Sequence, residues 1–166
     1  MPDVSTPFGR LSFRTTRQGL SRIDLRPVPG RRPDRESRTA LDRTVARTLT
    51  KYFAGKVQDF DVPLDLTGVT PFQRRVLQCC ARIPFGQVLT YAELARKAGK
   101  PGAARAVGRV MATNPIPVVI PCHRVVDSGL RLRGYGGGLK MKRGLLEREG
   151  LTVTGQGAKA RVVRES

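Results

Sequence analysis

The chain contains no tryptophan, one histidine and three cysteines among its 166 residues. A single histidine cannot complete a cluster of Cys and His zinc ligands, and two of the cysteines, Cys79 and Cys80, are adjacent rather than spaced as CxxC. We therefore expect no metal, no cofactor and a reducing, cytoplasmic location. The chain also lacks a signal-peptide core and any apolar run long enough to span a bilayer, so we expect no membrane association.

Acidic residues are scarce, because 13 Asp and Glu stand against 31 Lys and Arg, which gives a formal net charge of +18. Such an excess of positive charge favours a polyanionic partner, most commonly a nucleic acid. The alternative is an arginine-biased proteome, since Arg far outnumbers Lys in this chain. Composition alone leaves both interpretations open.

The first third of the chain has the pattern of a small α/β region. Apolar and polar residues alternate over residues 8–26 around a turn at Gln18-Gly19, which predicts a β-hairpin. Residues 26–38, rich in proline and charge, are typical of a loop. Apolar residues at helical spacing over residues 39–54 predict an amphipathic helix that Gly55 closes.

Short helices with clear start signals follow. Thr70-Pro71-Phe72-Gln73 and Thr90-Tyr91-Ala92-Glu93 are capping boxes. A third helix is predicted over residues 103–113, ending before Asn114-Pro115, because proline disfavours a helical residue before it. The second and third helices, joined by a tight Gly/Pro turn, make a helix-turn-helix candidate.

The last clear elements are a glycine-rich loop and a helix within residues 133–150, in which Leu139, Leu145 and Leu146 point inward. The glycines match neither a Walker motif nor GxGxxG, so a nucleotide site is only weakly indicated. From Thr152 onward we expect a loosely ordered, basic tail.

The stretch NPIPVVIPCHRVV, residues 114–126, holds the only histidine beside a cysteine. Its three prolines exclude a helix or a central strand and predict a stiff extended run that carries Cys122 inward. A buried cysteine is usually a small apolar residue, but His123 beside it favours an activated thiolate. For the two side chains to cooperate, the backbone must turn there or a water must connect them. Acyl carbonyls and saturated alkyl carbons both remain possible substrates.

Four stretches, in this order, resemble the methylated-DNA–protein-cysteine methyltransferase family, also called O6-alkylguanine-DNA alkyltransferases. They are TPFQRRVL, IPFGQVLTYAELA, KPGAARAVGRVMATNPIPVVIPCHRVV and GYGGGLKMKRGLLEREG. The resemblance covers residues 69–150 closely and the N-terminal third only in outline. It implies irreversible transfer of an alkyl group from O6 of guanine in duplex DNA to Cys122, once per molecule, and leaves activity on O4 of thymine open.

The resemblance also implies roles at the reacting centre. Cys122 accepts the alkyl group, His123 acts as a base through a water, Glu149 orients the imidazole and Asn114 braces the turn. For the substrate, it implies that Tyr91 donates a proton to the guanine and that Tyr135 walls the alkyl pocket. Backbone groups near Val125 and Gly136 hold the edge of the base.

On the DNA side, the family rotates the damaged nucleotide out of the duplex with a helix-turn-helix set against the minor groove. By position, Arg105 enters the vacated space, and Ala103, Ala104 and Gly108 are small so that the helix approaches closely. The partner is therefore double-stranded DNA, bound by a monomer, and cooperative binding along DNA is left open.

In fold, the resemblance implies an α+β protein of two domains and a tail. Residues 1–67 form a small ribonuclease H-like α/β domain with an antiparallel sheet, and residues 68–150 form a mostly helical domain with a winged helix-turn-helix. Residues 151–166 form the basic tail. Three rival functions remain: a non-catalytic protein that binds alkylated DNA, a helix-turn-helix regulator that uses Cys122 as a sensor, and a cysteine hydrolase.

Overall fold

The structure is a computed structural model that describes residues 1–25 and 39–164. The loop expected over residues 26–38 lies outside these ranges. The chain divides into two compact units, Met1–Gly68 and Val69–Ser166, and each is described by itself. In the described ranges, no helix has the length and apolar character needed to cross a membrane.

The first unit is a three-stranded antiparallel sheet with one helix against it. Its strands pair in the order β1-β2-β3, and α1 contacts β1 and β2. The elements are β1 (Asp3–Thr6), β2 (Gly9–Thr15), β3 (Leu20–Asp24) and α1 (Ala40–Phe53). The predicted hairpin and helix are confirmed. The sequence analysis did not identify β1, because its four residues carry little periodicity.

Gly19 ends the hairpin turn at a close backbone approach. Its φ is +153°, and a Cβ there would lie 2.4 Å from the carbonyl oxygen of Pro63. The neighbouring Leu20 donates its N–H to that same carbonyl at 2.8 Å, and Asp65 donates back to Leu20 at 2.8 Å. Only glycine fits where the connecting segment runs this close to β3.

In its described residues, the second unit combines four short strands with four α-helices, so the protein is of the α+β class, as expected. Two short sheets are present: β4 pairs with β5 in parallel, and β6 pairs with β7 antiparallel. The elements are α2 (Pro71–Ala81), β4 (Leu89–Thr90), α3 (Tyr91–Lys97), α4 (Ala104–Ala112), β5 (Val125–Val126), α5 (Leu139–Arg148), β6 (Thr152–Thr154) and β7 (Arg161–Val163).

Both capping boxes form as predicted. The Thr70 hydroxyl accepts a hydrogen bond from the Gln73 N–H, and the Thr70 N–H donates to Oε1 of the Gln73 side chain. Thr90 and Glu93 do the same at the start of α3. These caps satisfy donors that the first turn of a helix leaves free, so they fix where α2 and α3 begin.

The C-terminal residues contradict the expectation of a loosely ordered tail. Strands β6 and β7 form a hairpin whose apolar residues Val153, Ala160 and Val162 are buried in a cluster with Leu132 and Leu146. The main chain extends this pairing, because Val162 donates to the Leu130 carbonyl at 2.9 Å. Burial of these side chains against residues 130–146 orders a segment that looks only basic in sequence.

Candidate active site

The parallel pairing of β4 and β5 brings the start of α3 beside the Cys-His segment. Leu89 is opposite Val125 and Thr90 is opposite Val126. Tyr91 follows β4 directly, and the 3-10 turn Cys122–Arg124 precedes β5 directly. Two residues far apart in sequence, Tyr91 and Cys122, therefore line the same cavity.

The proline-rich segment before Cys122 is not the extended run that the prolines predict. It folds back on itself, since Pro117 forms a bridge with Ile120 and the Ile120 N–H donates to the Ile116 carbonyl at 2.8 Å. Val118 at this reversal has φ +74°, a left-handed conformation that a β-branched residue rarely adopts. The surrounding burial enforces the bend, and the bend directs the chain into the turn that carries Cys122.

Asn114 holds this reversal from its side chain. Its Nδ2 donates to the Ile120 carbonyl at 2.9 Å, and its Oδ1 accepts the Ile116 N–H at 3.0 Å. Asn114 also forms a side-chain hydrogen bond with Cys122 that lowers the pKa of the thiol. The Asn114 amide thus connects the bend to the Cys122 sulfur, and this is the position that the resemblance implies for Asn114.

The backbone turns at Cys122 and His123, because residues 122–124 form a single turn of 3-10 helix, which is one of the two arrangements that the sequence allows for their cooperation. His123 is fully buried, and its Nε2 lies 2.9 Å from Oε2 of Glu149. Arg124 clasps the same carboxylate, with Nε 2.8 Å from Oε1 and Nη2 2.9 Å from Oε2. Its Nη1 donates to the Ile83 carbonyl at 2.6 Å.

These contacts set the protonation states. Burial alone would raise the pKa of Glu149, but the hydrogen bonds from His123 and Arg124 outweigh it and hold the pKa at about 2. Burial lowers the pKa of His123 despite the carboxylate, so the imidazole is neutral near pH 7. With Nε2 facing Glu149, the other ring nitrogen, Nδ1, is buried and has no hydrogen-bond partner among the described residues.

The Cys122 thiol is held in its neutral form by burial, which raises its pKa. The hydrogen bond from Asn114 and the positive charge of Lys142 offset part of that increase. Cys122 is 7% exposed and lines a cavity of about 340 Å³. Eight residues line this cavity: Tyr91, Gly108, Met111, Ala112, Cys122, Gly134, Tyr135 and Gly136. Its volume lies within the range of small-molecule sites in proteins.

The structure gathers most of the predicted substrate residues at this cavity. Tyr91 and Tyr135 form part of its wall, and Gly136 lies in the loop that completes it. Burial raises the pKa of Tyr91, which keeps its hydroxyl protonated at neutral pH. Val125 is completely buried and is not among the lining residues, and its carbonyl accepts a hydrogen bond from Lys142.

The predicted DNA-binding residues lie on or just before α4, whose other face is buried. Arg105 is exposed, while Ala103, Ala104 and Gly108 are partly buried. Gly108 also lines the cavity, and a Cβ there would lie 4.0 Å from the Tyr91 ring. The surface of α4 that carries small residues therefore adjoins the opening toward Cys122.

Sequence reasoning missed Arg124 and Lys142. Arg124 stands inside the PCHR signature, and an arginine in so apolar a stretch was a signal that it binds a buried partner. Lys142 lies three residues after Leu139 and three before Leu145, so its place on the inward face of α5 was readable from helical spacing. It is 1% exposed.

Comparison with known proteins agrees with this geometry. Residues 71–151 match the family model described as 6-O-methylguanine DNA methyltransferase, DNA binding domain. The chain is 52% identical over 101 residues to a methylated-DNA–protein-cysteine methyltransferase of Mycobacterium tuberculosis, an alignment that spans 61% of each chain. It is 42% identical over 149 residues to the protein of that name from Mycolicibacterium paratuberculosis, covering 88% of this chain and 89% of the relative.

The solved structures agree as well. The crystal structure of Mycobacterium tuberculosis OGT in complex with DNA superposes with a TM-score of 0.78 at 39% identity, covering 89% of this chain and 91% of that one. The likeness therefore extends through the N-terminal unit, where the sequence resembles the family only in outline. The near full-length similarity agrees with the turn at PCHR and with the buried Glu149 carboxylate. The chain therefore belongs to the methylated-DNA–protein-cysteine methyltransferase family.

Proposed function

We propose that this protein repairs DNA by direct reversal, moving a methyl or other alkyl group from O6 of guanine onto Cys122 in a single irreversible turnover. The observation that carries the proposal is the position of Cys122. Its side chain lines the cavity, and the next residue in the chain, His123, is buried and hydrogen-bonded to the buried Glu149. Similarity to relatives named methylated-DNA–protein-cysteine methyltransferase supports the same reaction.

The transfer is a displacement at carbon. The Cys122 proton passes through a water to Nδ1 of His123, the sulfur forms a bond to the alkyl carbon, and the bond from that carbon to O6 breaks with its electron pair left on the guanine. Glu149 stabilises the imidazolium that forms, and Asn114 keeps the sulfur aligned with the carbon–oxygen bond, which supplies much of the rate.

The leaving guanine is neutralised by a proton. Tyr91 donates its hydroxyl proton to the base and is left as a phenolate. The proton that Cys122 gave to His123 then returns through water to the Tyr91 oxygen, so that the products are a thioether, ordinary guanine and neutral His123 and Tyr91 side chains. Because its pKa is raised, the Tyr91 hydroxyl is protonated at neutral pH and can donate this proton. Tyr135 bounds the space for the alkyl group, while main-chain groups near Val125 and Gly136 hold the edge of the base.

The DNA partner is bound through α4. Helices α3 and α4 act as the helix-turn-helix of a winged domain, with α4 in the minor groove and Arg105 filling the place of the rotated nucleotide. Ala103, Ala104 and Gly108 let the backbone approach closely. This mode reads no sequence, which suits a lesion that arises anywhere, and the +18 charge makes binding strongly salt-dependent.

Several finer features belong to the same proposal. The sheet and helix of the first unit form a ribonuclease H-like domain, with the boundary to the second domain near residue 67. The protein acts as a cytoplasmic monomer without a cofactor, in a compartment that keeps its three unpaired cysteines reduced.

The decisive experiment is incubation with a duplex oligonucleotide that contains one O6-methylguanine. Mass spectrometry should find one added methyl on the peptide containing Cys122 and unmodified guanine in the DNA, at one equivalent per protein molecule. Cys122→Ser is the matched control and should bind the same duplex without transfer. An unmodified protein bound to an intact lesion would instead identify a non-catalytic alkylated-DNA binder, and repeated turnover would identify a hydrolase.

A further inference from the structure

Lys142 is a buried cation that the reaction described above does not use. It lies on α5, is 1% exposed, and donates from Nζ to the Val125 carbonyl at 2.7 Å. An ammonium carries three N–H donors. In residues 1–25 and 39–164, this neutral carbonyl is its one hydrogen-bond acceptor, and no carboxylate forms an ion pair with it.

Such a group is costly to bury. An ammonium removed from water loses solvation that one carbonyl cannot replace, and an apolar side chain of the same length would avoid that loss. Burial lowers the pKa of Lys142 to about 8, which still leaves the group mostly charged at pH 7. Its presence therefore calls for a negative partner that appears during function.

Two thiols are close enough for their charge to matter. Burial raises the pKa of both Cys122 and Cys80, and the positive charge of Lys142 offsets part of that increase in each. Cys80 is completely buried and does not line the cavity, whereas Cys122 does. Val125, which Lys142 holds, stands only three residues after Cys122, so one ammonium is tied to the segment that carries the sulfur.

We propose that Lys142 is a positioning residue whose buried ammonium stabilises the Cys122 thiolate as it forms and fixes the Val125 carbonyl beside it. The proposal rests on the alkyl transfer proposed above. The imidazolium of His123 is a weaker source of positive charge, because Glu149 lies against it and neutralises part of that charge. No carboxylate among the described residues forms an ion pair with Lys142, so more of its charge is left to act on the sulfur.

Other charged and titratable groups also face this centre. From α2, α3, the turn, the segment after β5 and the end of α5, they are Cys80, Tyr91, His123, Arg124, Asp127 and Glu149. Of these, Asp127 acts on Lys142 and already binds Arg131 and Arg133 through its Oδ2. A change in the pH profile after substitution of Lys142 is therefore compared with the same profile in Asp127→Asn.

The test uses Lys142→Met, which keeps the length of the side chain and removes its charge. We expect the rate of transfer from duplex DNA at pH 7.5 to fall about tenfold or more, which corresponds to one pH unit or more in thiol pKa. Raising the pH should restore the rate. The rate of iodoacetamide labelling of Cys122 between pH 6.5 and 7.5, where Lys142 is mostly charged in the wild type, should fall as well, while the melting temperature at pH 7 stays equal or rises.

A merely structural lysine predicts different results. The variant would then lose stability, and Cys122 would be labelled at the wild-type rate between pH 6.5 and 7.5, which would overturn the proposal. A second measurement needs no substitution of Lys142: in the wild type, the logarithm of the labelling rate plotted against pH should bend to a lower slope near pH 8, where Lys142 loses its proton, and a straight line would equally overturn the proposal. Wild-type protein that labels normally but transfers no alkyl group would reject the proposed function alone.

Discussion

Arg124 and Glu149 form a two-point ion pair that is almost completely removed from water. The guanidinium is 6% exposed and the carboxylate 0%, and the Nε–Oε1 distance is 2.8 Å. Oε2 of the same carboxylate lies 2.9 Å from Nε2 of His123. Glu149 thus has two partners of different kinds, one a permanent cation and the other the proposed base. The permanent cation keeps the carboxylate ionised whatever the imidazole does.

Removing that cation should destabilise the protein. We expect Arg124→Met to lower the free energy of unfolding by about 3 kcal/mol, because it leaves Glu149 buried with a neutral imidazole. Urea denaturation at pH 7 measures the change. The control is Arg22→Met, whose ion pair with Asp24 is exposed and should contribute less than about 0.5 kcal/mol. Equal losses in the two variants would contradict the importance of burial here.

Stability should fall with acid in a window set by Glu149. The folded pKa of about 2 is below the ordinary value of 4.5, so the unfolded chain binds the proton more readily. The contribution is complete above about pH 4.5 and is lost as the pH falls toward 2, at roughly 3 kcal/mol for a shift of this size. Unfolding midpoints from pH 6 to pH 3 measure the slope, and Glu149→Gln should flatten it.

The proposed role of Arg105 predicts a larger effect on repair in duplex DNA than on the reaction with a free base. Arg105→Ala should slow repair of O6-methylguanine in a duplex by tenfold or more, about 1.4 kcal/mol in barrier, yet leave the reaction with free O6-benzylguanine within twofold. An extruded nucleotide needs the space behind it filled, whereas a free base does not. Arg43→Ala on α1 removes the same charge from an exposed position and is the control. Similar losses of rate on both substrates would contradict this role and indicate that Arg105 supports the folded structure in general.

The C-terminal hairpin should contribute to stability through one face only. Val162 is 2% exposed within the apolar cluster, and its neighbour Val163 is 46% exposed. We expect Val162→Ala to cost about 2 kcal/mol and Val163→Ala less than about 0.5 kcal/mol. Thermal and urea unfolding of the two variants measures the difference. If neither substitution has an effect, the hairpin does not pack as described.

Local chemistry explains what the sequence predicts well. The starts of α2 and α3 follow from capping boxes, in which every partner lies within three residues. The turn at Cys122 and His123 is one of two arrangements that the sequence allows, the other being a bridging water. Long-range contacts explain what it misses. The strands of the hairpin are ordered by Leu132 and Leu146, and the bend at Val118 depends on Asn114 and on burial, which no short window of sequence reveals.

Gly108 adjoins both of the surfaces that the proposed function requires. It lies on α4 and also lines the cavity in front of Cys122, 4.0 Å from the Tyr91 ring when a Cβ is added. Alanine would therefore fit the helix and favour it by up to about 1 kcal/mol. A gain in helix stability at this position that comes with slower repair would show that the small residue serves the contact with DNA.

The low exposure of Cys122 has a consequence for how long the protein remains usable. A reagent that is spent in one event must survive until its target arrives, and peroxides or stray electrophiles consume accessible thiols first. With 7% of the residue accessible and its thiol held in the neutral form, such side reactions are slow. In the proposed mechanism the damaged base is rotated out of the duplex and travels to the sulfur, so distortion of the DNA gives a stacked base the access to Cys122 that it would otherwise lack.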